Sequence, residues 1–167
     1  MIRKFKNKKP IISESTFIAE NTSIIGDVII GEESSIWFGT TIRGDMNYIH
    51  IGNRTNIQDN SIVHVTTEIA PTIIGDGVTI GHGAIIHGCT IENNCLIGMG
   101  SIIMDEAVVK KGSMVAAGAI VTPKTIVPEN TLMVGIPAKP IRKITKNEYD
   151  EIIERAQHYI DFSKEYK

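Results

Sequence analysis

The sequence predicts an all-β solenoid: a parallel β-helix of hexapeptide repeats followed by one C-terminal α-helix. Three observations predict it. An aliphatic residue recurs at every sixth position through most of the chain. The period is broken only by short insertions and one contraction. It then fades into a proline-containing segment, beyond which the apolar residues adopt helical spacing.

The repeat opens with Ile18, Ile24, Ile30, Ile36 and Ile42. It restarts at Ile51, Ile57 and Val63, then at Ile74, Ile80 and Ile86. A last run follows through Ile91, Ile97, Ile103, Val109, Val115, Val121 and Val127. Every position in the series is Ile or Val. A helix cannot hold one residue type at every sixth place, and simple strand alternation would not favour the sixth place over the second. A coil of three hexads, each a short strand and a turn, satisfies the pattern if the β-branched residue points inward. Small residues follow the aliphatic at Ala19, Gly31, Gly52, Gly75, Gly81 and Gly98, where they suit a tight corner.

The breaks predict where the coil departs from regularity. Three extra residues precede Ile51 and five precede Ile74, which places bulging loops near Tyr48–His50 and Thr66–Pro71. One residue is missing between Ile86 and Ile91. The segment ahead of Ile18 is expected to cover one open end of the solenoid. Pro137 and Pro140 are expected to end the sheet. Thr145-Lys146-Asn147-Glu148 reads as a capping box, and Tyr149, Ile152, Ile153, Ala156 and Ile160 form an apolar stripe. The chain therefore divides into a β-helix over 1–144 and a helix over 145–167 packed along its outside.

Composition narrows the function. The 167 residues suit one domain, and 19 acidic against 17 basic side chains give a net charge of −2. No basic surface for nucleic acid or an anionic membrane is indicated. The opening MIRKFKNKKP lacks the apolar stretch of a signal peptide, and a cytoplasmic location is expected. Cys89 and Cys95 read as small buried hydrophobes, and His50 and His158 as ordinary surface histidines.

Counting hexads assigns residues to three faces. Ile51, Ile57 and Val63 define faces A, B and C, and Ile74, Ile80 and Ile86 repeat them one coil later. His64 and His87 each follow the face C aliphatic, and Arg43 holds the same place one coil earlier. These three form a column with roughly 4.8 Å between coils. His82 and Asp59 lie two after the face B aliphatic in successive coils, so they stack on a second face. Face B of one prism can meet face C of another around a threefold axis, which predicts a homotrimer with a site at each interface. Three neutral imidazoles with open positions are the ligand set of catalytic zinc, which lowers the pKa of bound water to about 7. Asn56, Gln58, Asp59, Arg43 and Asp45 are available as supporting groups, and Arg43 can pair with Asp59 across the interface.

Several segments resemble the gamma-class carbonic anhydrase family. They are Ile42-Arg43-Gly44-Asp45, Asn56 to His64 with Gln58-Asp59 inside it, and Ile80-Gly81-His82-Gly83 through His87-Gly88-Cys89. Ile97-Gly98-Met99-Gly100 and Gly135-Ile136-Pro137-Ala138-Lys139-Pro140 fit as well. The resemblance implies a left-handed coil and a homotrimer with zinc, iron or cobalt at each of its interfaces. It implies that His64 and His87 come from one chain and His82 from its neighbour. It gives Gln58 the role of orienting metal-bound water, and Asp45 a place in the Arg43–Asp59 network. Tyr159 matches a helix tyrosine that approaches the site in compact members. The implied reaction is hydration of carbon dioxide to bicarbonate by metal-bound hydroxide.

Two positions depart from the family prototype. Thr67 stands where a shuttle glutamate is expected, and Met46 replaces a second glutamate. Hydration needs a proton carried to buffer, so slow turnover is expected unless Glu68 substitutes. Two alternatives stand beside the lyase. One is a hexapeptide-repeat acyltransferase or acyl-CoA thioesterase acting on an acyl thioester. The other is a metal-binding trimer without catalysis.

Overall fold

A computed structural model describes residues 1–166. The chain is a left-handed parallel β-helix of about 7 turns with one C-terminal helix. Its strands are mostly two or three residues long and stack coil upon coil in parallel. The phase counted from the sequence is the register observed. Ile42 pairs with Val63 and Val63 with Ile86 on face C. Ile36, Ile57 and Ile80 align on face B, and Ile51 with Ile74 on face A.

The core explains the period. Every aliphatic of the repeat is buried except Ile18 in the first coil, which is half-buried against the same cluster. Buried Thr, Ser, Ala and Cys side chains interleave with them, and Cys89 and Cys95 are free thiols inside the prism. Burial pushes both thiols up to about 12, so neither is a nucleophile at neutral pH.

The corners differ from expectation. The left-handed residue stands three after the aliphatic, as at Asn60 (φ 59°) and Gly83 (φ 67°), not immediately after it. The small residue that does follow the aliphatic is required by stacking. A Cβ on Gly98 would lie 2.4 Å from the backbone nitrogen of Ala117 in the next coil.

Three further expectations are corrected. The extra residues before Ile51 do not form a loop near Tyr48–His50. They lie inside the continuous strand Thr41–Ile51, where the ladder shifts between Gly26 and Val28 and then resumes with Val28 against Ile49 and Ile29 against His50. This is a bulge at Asp45–Tyr48, and it turns the Asp45 side chain toward face C. Pro140 does not end the sheet: strand Thr131–Gly135 turns at Pro137 and returns antiparallel as Ala138–Lys143. Pro140 is tolerated there because the returning strand is an edge. Ile153 leaves the buried helix face, which consists of Ile152, Ala156, Ile160 and Ser163.

The segment 66–71 does project, closed by paired hydrogen bonds between Thr66 and Ala70. The segment before Ile18 supplies two short strands, Ile2–Arg3 and Ile11–Ile12, that extend the sheet beyond strand Ser23–Ile30. The helix Lys146–Lys164 carries the expected capping box between Thr145 and Glu148. It packs on face B and runs back toward the first coil. Tyr149 accepts a hydrogen bond from Asn94, while Tyr159 and Phe162 meet Trp37. No helix among the described residues is long and apolar enough to cross a membrane.

Candidate metal centre

The column on face C brings His64 and His87 together. Both end short strands, Ile62–His64 and Ile85–His87, and their backbones are register partners. His64 Nδ1 lies 3.2 Å from His87 Nε2. Each ring is oriented from behind by a carboxylate. His64 Nε2 is 3.1 Å from Asp45 Oδ1, and His87 Nδ1 is 2.7 Å from Asp105 Oδ1.

Those partners fix the tautomers. An ionised carboxylate only accepts, so His64 carries its proton on Nε2 and His87 on Nδ1. The facing nitrogens, His64 Nδ1 and His87 Nε2, are then the unprotonated ones. A tetrahedral ion with nitrogen ligands at about 2.05 Å separates its donors by about 3.3 Å. The observed spacing fits that requirement.

The charge balance supports it. Burial and the Arg43 guanidinium lower the His64 pKa, outweighing its hydrogen bond to Asp45, so the ring is neutral at pH 7. Burial raises the Asp45 carboxyl, but hydrogen bonds from Arg43 and His64 outweigh it and hold it below the usual aspartate value. Asp105 is held low in the same way, with burial outweighed by hydrogen bonds from His87 and Thr66. Thr66 Oγ1 donates to Asp105 Oδ1 at 2.8 Å. This side of the site therefore carries two carboxylates and one guanidinium, a net negative field suited to a cation.

His82 occupies the other face. Its Nδ1 is 2.8 Å from Asp59 Oδ2, and its side chain is 48% exposed. Among the described residues of one chain, no three ligating side chains converge. Within the chain, Arg43 bonds Asp45 at 2.5 Å, and Asp59 is engaged by His82. Gln58 is buried beside His82, and its Nε2 donates to Asn56 Oδ1 at 3.1 Å. Asn56 Nδ2 donates in turn to Thr79 Oγ1 at 2.8 Å. The amide of Gln58 is thus held by a buried chain of hydrogen bonds.

His82, Gln58 and Tyr159 line one cavity of about 280 Å³ between face B and the helix. Burial, assisted by Asp59, pushes the Tyr159 phenol up, so it stays protonated at neutral pH. Tyr159 therefore lines the same cavity as His82. Met46, Thr67 and Glu68 are all exposed.

Asp105, Thr66 and Arg155 were not anticipated. Asp105 was within reach of the phase argument. It lies two after the face C aliphatic Ile103, one coil beyond His87.

Two stretches of the chain, residues 9–44 and 88–123, match the family described as bacterial transferase hexapeptide (six repeats). The Geobacillus kaustophilus protein named carbonic anhydrase is 48% identical over 100% of this chain and 91% of its own length. The chain belongs to the gamma carbonic anhydrase family. Gamma carbonic anhydrase 2, mitochondrial, of Arabidopsis thaliana is 45% identical over 95% of this chain. The chain spans 59% of the length of that plant relative. Among solved structures, a hexapeptide transferase family protein from Anaplasma phagocytophilum superposes with a TM-score of 0.96 at 45% identity. That match covers 99% of this chain and 98% of the Anaplasma chain. The transferase label of the matching repeat model reflects the repeat more than any one chemistry.

Proposed function

We propose that this protein is a metal-dependent carbonic anhydrase that interconverts carbon dioxide and bicarbonate. His64 and His87 of one chain and His82 of a neighbour would hold one zinc ion, or iron or cobalt, at each interface of a homotrimer. The observation that carries the proposal is the 3.2 Å approach of His64 Nδ1 to His87 Nε2, each ring backed by a carboxylate. Two donors leave an ion incompletely coordinated, and His82 stands on the face that can meet them from a second chain. When bound, such an ion supplies a nucleophile by lowering the pKa of water to about 7.

The chain's own residues supply the rest. Gln58, fixed through Asn56 and Thr79, directs a rigid amide at the His82 side and orients a small oxygen species there. Tyr159 keeps its phenolic proton and can donate it as a hydrogen bond. Arg43 and Asp59 are both solvent-accessible in the single chain, and pairing across the interface would hold the two faces in register. No carboxylate stands at positions 46 and 67 to carry a proton outward, so turnover is expected to be slow.

The test is metal content and oligomeric mass of anaerobically purified protein, followed by carbon dioxide hydration with zinc or iron. One ion per chain, a trimer and a rate above buffer are expected. A monomer without metal, or no rate with either ion, overturns the proposal. Acyl transfer or thioester hydrolysis is the second reading, favoured by the transferase hexapeptide match. An acyl-CoA panel run with and without chelator separates the two.

A further inference from the structure

The cavity beside His82 is larger than carbon dioxide requires and carries a feature that carbon dioxide cannot use. Its volume of about 280 Å³ is near the lower end for small-molecule sites, about 300–1,000 Å³. Leu96, Met99 and Ala117 give it an apolar wall, and Gly81 and Gly98 present only backbone beneath. The space exists because those glycines project no side chain toward the helix, whereas Trp37 fills the equivalent place two coils before Gly81. Arg155 lines the other side, one helical turn from Tyr159.

Arg155 is the only charged side chain that is not a histidine in this lining. Among the described residues its guanidinium makes no hydrogen bond or ion pair. Arg43, Arg54 and Arg142 are instead engaged, by Asp45, Glu33 and Glu148. Glu151 and Glu154 lie near Arg155 along a separate shallow cleft that also includes His158. An unpaired guanidinium at an apolar cavity selects a ligand with complementary parts: a planar anion for the fork and a hydrocarbon body for the wall. Carbon dioxide lacks the charge, and bicarbonate lacks the body.

We propose that this cavity binds a small organic monocarboxylate, its carboxylate on Arg155 and its apolar body on Leu96, Met99 and Ala117. The site stands on the cavity and the guanidinium, and does not need the metal centre. Bound there, the ligand lies against Gln58, His82 and Tyr159, so it would restrict access to the His82 side. A carboxylate of this kind is therefore a competitor or modulator of whatever reacts at that end.

Isothermal titration of the intact protein with hexanoate tests the proposal, with hexanol and acetate as controls for charge and body. The titration is run on metal-loaded and on chelator-treated protein. Hexanoate is expected to bind in both states, and each control more weakly. Arg155→Ala should weaken hexanoate about tenfold or more, in keeping with loss of a charged hydrogen bond, and Arg155→Lys should restore only part. Met99→Glu, at an exposed position that tolerates the change, should also weaken it. Binding lost on chelation would place the carboxylate on a metal and overturn the proposal. So would hexanoate affinity unchanged in Arg155→Ala, or no binding at all. None of these readouts is a hydration rate or a metal content, so the two proposals fail separately.

Discussion

Asp105 Oδ1 accepts a hydrogen bond from His87 Nδ1 at 2.7 Å and another from Thr66 Oγ1 at 2.8 Å. One carboxylate oxygen thus joins three coils' worth of chain: a histidine on one rung, an aspartate on the next, and a threonine in the projecting segment 66–71. It holds the His87 ring so that Nε2 faces His64. Asp105→Asn keeps the shape but allows the amide to donate, which removes the tautomer preference. Metal affinity is expected to fall about 10–100-fold in chelator competition. Wild-type affinity in the variant would show that the carboxylate does not orient the ligand.

The His82 side chain is half-exposed and, among the described residues, bonded only to Asp59, so removing it disturbs little within the chain. His82→Ala should leave the circular dichroism spectrum and urea midpoint within about 0.5 kcal/mol of wild type, as for other surface changes. Metal per chain, read by elemental analysis, should drop sharply. Full occupancy in this variant would exclude His82 as a ligand.

Acid should loosen the C-terminal helix through Glu148. Hydrogen bonds from Arg142, and then from the Thr145 backbone N–H, lower its carboxyl from 4.5 to about 2. A depressed folded value means the stabilisation is complete above the unfolded value and is lost as pH falls through about 2. Wild type should exceed Glu148→Gln in helix stability at neutral pH. The gap should narrow below pH 4.5 and close near pH 2. A gap independent of pH would mean that charge plays no part in the cap.

Gly98→Ala tests the stacking requirement. The added methyl would meet backbone of Ala116 and Ala117, at 2.6 Å and 2.4 Å, which cannot swing aside. Overpacking of this kind costs about 1–3 kcal/mol, read as a lower urea midpoint. Gly100→Ala offers the contrast. Nothing lies within 4 Å of its Cβ position, so only its positive φ of 66° is penalised. Equal losses at the two sites would argue against a steric origin at Gly98.

Hexad counting made the register legible, because one inward residue per six fixes both face and height. That is why the pairing of His64 with His87, and the stacking of Asp59 under His82, could be read without coordinates. Asp45 and Asp105 needed more. Asp45 reaches His64 only because the ladder bulges at Asp45–Tyr48, and a period cannot say how inserted residues are accommodated. Pro140 shows the same limit: a proline forbids a central strand but permits an edge, and edge or centre is a tertiary property. Arg155 was invisible because the repeat carries no information on how a separate helix lies against a face.

The helix runs the length of the prism and is fastened at several heights. Tyr149 accepts from Asn94, Gln157 accepts from Arg54 at 2.6 Å, and Phe162 stacks on Trp37 at 5.5 Å. A solenoid touches only its nearest neighbours and tends to unravel rung by rung from either end. A strap bonded to early and late rungs makes terminal fraying pull on the middle. The prism should melt in a single step, with its end coils as protected from hydrogen exchange as its centre.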